Sequence, residues 1–142
     1  MSLLEGKKGL IVGVANDHSI AWGIASAASK WGADLAFTYQ TASFERRVRP
    51  LAESAGAKII LPCDVIDDAS LDSVFAELSR VWGSIDFVVH SVAFSDKAEL
   101  TGCYADTSRK NFLETLEISC FSFTAIARRA AAIMKPGGSL LT

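Results

Sequence analysis

The residues able to do chemistry stand directly after short apolar runs. Gly13 follows the run 10–12, and the chain continues through Ala15 to Ser19, Ile20 and Gly23, a G-x5-S-x3-G spacing. A short strand, a glycine turn and a helix start together present backbone N–H groups to a phosphate. Gly13 and Ala15 permit close backbone approach to a diphosphate. Ser19 offers a hydroxyl and an N–H at the helix start, and the Ile20 N–H follows it. Gly23 is expected to let the helix lie close to the strand or the ligand. The spacing is not G-x-G-x-x-G, and the same residues also suit a glycine turn that holds no ligand.

Three later run ends add polar groups. Gln40 closes F-T-Y-Q, where the adenosine ribose of a dinucleotide should arrive. Its amide can bond a ribose hydroxyl without repelling a phosphate, although an acidic residue is the usual NAD signal. Arg46 and Arg47 follow in the next helix and leave NADP open; on spacing they also fit a solvated helix face. Cys63-Asp64-Val65 ends the third run. Asp64 can accept from an adenine amino group beside the Val65 N–H, or it can cap the loop or the next helix. The fourth run ends Val89-His90-Ser91-Val92-Ala93-Phe94-Ser95 and would pass the nicotinamide ribose, its small residues admitting a flat ring. His90 has no carboxylate near it in sequence, which favours a hydrogen-bonded structural role over acid–base chemistry. Residues 94–108 form a polar loop long enough to touch a substrate.

The elements that must position these groups follow an alternating pattern. Strands are expected at 9–12, 34–38, 58–62, 86–89 and 139–141, short and almost uniformly apolar, as strands covered on both faces are. Helices are expected at 19–31, 43–55, 69–82 and 109–134. Phe44, Val48 and Leu51 mark the apolar side of the second, and Pro50 inside it allows a kink or an early stop. Leu71, Phe75, Leu78 and Trp82 form the stripe of the third. Pro136-Gly137-Gly138 is expected to end the fourth, and Gly32, Gly56, Gly83 and Gly137 each stand just past a helix. This order implies α/β architecture: a Rossmann-like, doubly wound parallel sheet with right-handed crossovers. Such folds usually carry six or more strands, and a loop is expected after the fifth. Residues 1–142 are therefore expected to be the N-terminal part of one dinucleotide-binding domain, with a complete five-strand domain as the alternative.

Composition excludes several function classes. Of the 142 residues, 50% are hydrophobic and 21% charged, enough to bury a core. The formal net charge of −2 gives no pull toward nucleic acid or an anionic membrane. No apolar run approaches the ~20 residues of a membrane span. Residues 1–8 lack a signal peptide's apolar stretch, so a cytoplasmic location is expected. Cys63, Cys103 and Cys120 form no C-x-x-C pair and fit reduced thiols. With His18 and His90 the only histidines, no metal site is expected.

G-V-A-N-D-H-S-I-A-W-G-I-A, A-F-T-Y-Q, P-C-D-V and V-V-H-S-V-A-F, in this order and spacing, resemble the NADH-dependent enoyl-acyl-carrier-protein reductases of bacterial fatty-acid synthesis. These are a divergent branch of the short-chain dehydrogenase/reductases, and G-x5-S-I-A-x-G-I-A separates them from members with a T-G-x3-G-x-G turn. The resemblance covers the whole chain and about the first half of the family's length. It implies NADH as cofactor, with NADPH less favoured, and hydride transfer to the β-carbon of a trans-2-enoyl thioester carried on acyl carrier protein. It places Gly13, Ala15, Ser19 and Ile20 on the diphosphate side, Gln40 near the adenosine ribose, and Asp64 and Val65 at the adenine. Ser91, Val92 and Ala93 would lie beside the nicotinamide ribose, and the Ser95 backbone near the substrate carbonyl. Ala93 stands where many relatives have glycine, and Ser95 where many have alanine. The helix at 109–134 would join a homotetramer interface. The family's catalytic tyrosine and lysine have no counterpart: Tyr39 and Tyr104 have Arg46 and Asn111 seven residues on. No catalytic residue is assigned, and the chain alone is expected to be inactive. It is also expected to expose apolar surface on its last strand and helix and to be unstable alone. Another short-chain dehydrogenase acting on a ketone or alcohol, or a non-catalytic dinucleotide-binding module, are the alternatives.

Overall fold

The structure is a computed structural model describing residues 2–142. Five parallel strands form one sheet in the order β3-β2-β1-β4-β5: β1 Lys8–Val12, β2 Asp34–Tyr39, β3 Ile59–Pro62, β4 Ile85–His90 and β5 Met134–Leu141. Chain order reverses between β1 and β4, so a crevice opens at their carboxyl ends. Side chains alternate across β1: Leu10 and Val12 join the core on one face, Ile11 the core on the other. Two covered faces are why these strands read as continuous apolar runs.

Helices α1 (Ile20–Lys30) and α2 (Ala42–Ser54) belong to the Ile11 side, where Ala21, Ala25, Ala28, Val48 and Ala52 pack on Leu35 and Phe37. Helix α3 (Asp68–Trp82) buries Leu71, Val74, Phe75 and Leu78 on the opposite face with Ile126 and Ala130. The Arg129 guanidinium crosses from the last helix to α3, donating to Asp72 Oδ1 at 2.7 Å and to Asp68 Oδ1 at 2.9 Å.

Four expectations need correction. Pro50 does not stop α2, which runs on to Ser54. It lies on the exposed side, where water can serve the carbonyl that it cannot. Gly23 does not bring α1 onto the sheet: it is exposed, with open space where a β-carbon would stand, and Ala21, Ala25 and Ala28 make the approach. The long helix is three pieces, α4 (Arg109–Leu116), a π-helical turn (Glu117–Phe121) and α5 (Ser122–Ile133). Finally, Pro136-Gly137-Gly138 lies inside β5. Pairing jumps from Ile85 opposite Met134 to Phe87 opposite Ser139, so these residues form a bulge, with Gly137 at φ +83°.

At the amino end of the sheet, buried Asp86 accepts from the Lys8 N–H at 2.9 Å, and Lys7 Nζ stands 3.4 Å away. Burial opposes its charge, but the Lys8 amide, Lys135 and Lys7 outweigh burial and hold the carboxyl below its ordinary pKa. The expected apolar exposure is present at Leu140 and Leu141 of β5 and at Leu113, Leu116 and Phe121. Among the described residues no helix is long and apolar enough to cross a membrane.

Candidate functional site

A cleft of about 280 Å³ opens at the carboxyl ends of β1 to β4. Its walls include Gly13, Ala15, Gln40, Asp64, Val65, Ser91, Val92 and Ala93. Short parallel strands joined by helices bring these positions together, because every β-to-α loop leaves the same edge of the sheet. Ser19, Ile20 and Ser95 are not among the lining residues. Sequence reasoning did not single out Val12, Val14, Thr38, Tyr39, Phe44, Cys63, Ile66, Phe94 and Ile118 as lining residues. Most adjoin positions it did name; Ile118, from the π turn, has no signal in the linear sequence.

The first turn depends on Gly13. Its φ of +110° suits glycine, and a β-carbon there would collide with the Ser91 carbonyl. The glycine therefore lets the tips of β1 and β4 meet, with the Ser91 N–H donating to Val12 O at 2.8 Å. Ser19 Oγ turns back into this loop and accepts from the Ala15 N–H at 3.0 Å and the Asn16 N–H at 3.1 Å. The Ser19 N–H donates to Asn16 O at 3.2 Å. So the Ala15 and Ser19 amides are engaged internally. The Ser19 hydroxyl, its acceptor positions filled, keeps a proton to donate. The Ile20 and Ala21 amides meet no acceptor among the described residues. A donor-only hydroxyl and two free helix-start amides suit an anion.

At the next strand tip, Gln40 is exposed beside Phe44, whose ring faces the Arg47 guanidinium at 4.8 Å. Arg46 is exposed. Asp64 Oδ1 accepts from the Ile66 N–H at 3.3 Å, while Asp67 caps α3 by accepting from the Ala69 N–H at 3.0 Å. Asp64 thus caps its own loop with one oxygen, and its other oxygen has no hydrogen-bond partner among the described residues. Burial pushes the neighbouring Cys63 thiol up to about 11, so it is protonated at neutral pH.

His90 is a structural residue, 2% exposed. Its Nε2 lies 2.7 Å from Ser122 Oγ and its Nδ1 2.9 Å from Thr142 Oγ1. Burial lowers its pKa, which favours the neutral ring. Among the described residues no His, Cys, Asp or Glu cluster could hold a metal.

The family model described as Enoyl-(Acyl carrier protein) reductase matches residues 13–142. This chain belongs to that family. It is 56% identical over 140 residues to an NADH enoyl-[acyl-carrier-protein] reductase of Rhizobium meliloti, covering 99% of this chain and 52% of that protein. The reductase structure from Anaplasma phagocytophilum, solved in complex with NAD, superposes with a TM-score of 0.94 at 57% identity, covering 98% of this chain and 54% of that one. FabI from Candidatus Liberibacter asiaticus gives 0.96 at 53% identity, covering 99% and 54%. The chain spans about half the length of the curated relatives it matches. The doubly wound sheet and the four strand-end motifs thus belong to one reductase family.

Proposed function

We propose that residues 1–142 form the NADH-binding part of an enoyl-acyl-carrier-protein reductase of fatty-acid synthesis, a single dinucleotide-binding domain whose catalytic tyrosine and lysine are not among them. The observation that supports this most is one cleft spanning four strand tips, from Asp64 through the Gly13 turn to Val92. An elongated ligand with an anionic middle fits that shape and donor set.

The chain's own groups divide the work. The Ser19 hydroxyl and the Ile20 amide face the diphosphate, while Gly13 and Ala15 keep the turn slim. Gln40 serves the adenosine ribose; Asp64 and Val65 serve the adenine. Ser91, Val92 and Ala93 line the nicotinamide end, with apolar Val12 and Ile118 excluding water there. When bound, NADH supplies the hydride that reduces the trans-2 double bond of an enoyl thioester carried on acyl carrier protein. Gln40 in place of an acidic residue tolerates a 2′-phosphate, so NADPH is a weaker second ligand. The exposed band at Leu113, Leu116 and Phe121 serves a homotetramer interface. The formal charge of −2 leaves nucleic acid and anionic membranes out of the partner set and agrees with work in the cytoplasm.

Titration of the chain with NADH and NADPH tests the binding reading. The expected result is saturable NADH binding, tighter than NADPH, with no enoyl-thioester turnover by the chain alone. Turnover by the pure chain would refute the role assigned to these residues. A longer protein carrying this sequence should reduce crotonoyl thioesters in preference to simple ketones. The reverse preference would indicate an alcohol or ketone dehydrogenase, and binding with no turnover a non-catalytic module.

A further inference from the structure

The loop after β4 forms one end of the cleft, yet residues 92–95 make no backbone–backbone hydrogen bond among the described residues, and Asp96 makes one, its carbonyl accepting from the Glu99 N–H at 3.0 Å. Side chains from α4 and the π turn hold it instead. Ser119 Oγ accepts from the Phe94 N–H at 3.0 Å and donates to Phe94 O at 3.2 Å. Asn111, only 5% exposed, accepts from the Asp96 N–H through Oδ1 at 2.8 Å. Its Nδ2 donates to Ser95 Oγ at 3.2 Å, and Thr115 Oγ1 donates to the same oxygen at 3.1 Å. The Ser95 hydroxyl is therefore turned toward α4, and Ser95 is absent from the cleft wall.

We infer that Asn111 and Ser119 are positioning residues that set the backbone of residues 92–96 and so preform the nicotinamide end of the cleft, and that the Ser95 side chain is an anchor of this clasp. The inference rests on the cofactor reading above. Physically, a loop with no hydrogen bonds of its own samples many conformations, and ordering it on binding weakens affinity. The clasp removes that penalty before the ligand arrives. It acts only on the part of the ligand that reaches Val92 to Phe94.

The test uses the whole 142-residue chain, isothermal titration, and two probes: NADH, and ADP, which lacks both the nicotinamide and its ribose. Ser119→Ala should weaken NADH about tenfold and ADP by less than about twofold, with Ser119→Thr restoring most of the loss. Asn111→Ala should show the same split if it folds; if it does not, Ser119→Ala alone decides. Unchanged NADH binding, equal weakening of both probes, or no rescue by threonine would overturn the clasp. A wild-type chain that binds neither probe would instead overturn the cofactor reading beneath it.

Discussion

The Ser91 carbonyl oxygen occupies the space that a side chain on Gly13 would need. Two strand tips therefore meet through a missing β-carbon. Gly13→Ala should destabilise the fold by roughly 2–4 kcal/mol, left-handed strain adding to a backbone collision, and should abolish NADH binding. Chemical denaturation and a fluorescence titration would check both. Near-native stability with tight binding would show that the turn relaxes freely.

At the adenine end, the free oxygen of Asp64 is the group expected to meet the ligand. Asp64→Ala should weaken NADH and ADP alike, about tenfold, because both carry adenine. Calorimetry with the two ligands reads this directly, and it is the opposite pattern from Ser119→Ala.

The His90 chain of bonds has a direction. Ser122 has one hydroxyl proton, which it donates to Ile118 O at 2.6 Å. His90 Nε2 must then carry a proton and donate to Ser122, and Nδ1 must accept from Thr142. Nitrogen NMR should show the Nε2–H tautomer. Burial lowers the His90 pKa, so the unfolded chain takes up a proton at about pH 6.5 that the folded protein resists. Stability is therefore full above that pH and falls as pH drops from there toward the folded value. His90→Phe should cost about 1–3 kcal/mol at neutral pH and remove this dependence. Urea unfolding across the range would measure it.

Asp86 titrates on the acid side. Its folded pKa lies below the unfolded one, so its contribution is present above the unfolded value of about 3.9 and disappears as pH falls through the folded value. Asp86→Asn should lower stability at neutral pH by about 1–2 kcal/mol and flatten the acid limb. An unchanged acid limb would assign that loss to other carboxylates.

Much of this molecule is written locally. Leu10, Ile11 and Val12 announce a strand covered on both faces, and Leu71, Phe75 and Leu78 announce the buried side of α3. Gln40, Asp64 and Val92 are found just past the end of each apolar run, because parallel topology sends every such position to one edge. The failures were also specific. Gly23 and Pro50 have strong intrinsic preferences, but neither lies where packing puts those preferences to use.

The amino-acid order by itself determined the alternation of strand and helix, the family, and the strand ends that meet in one cleft. These follow from hydrophobic period and glycine placement, which act over a few residues. Only the tertiary structure decided that Gly13 makes room for Ser91, that Ser19 holds its own loop, that the long helix opens into a π turn, and that Ser95 faces Asn111. Each of those joins residues distant in sequence or depends on which lone pair is already occupied. Hydrogen-bond partners of that kind are settled by packing in three dimensions, and no local pattern encodes them.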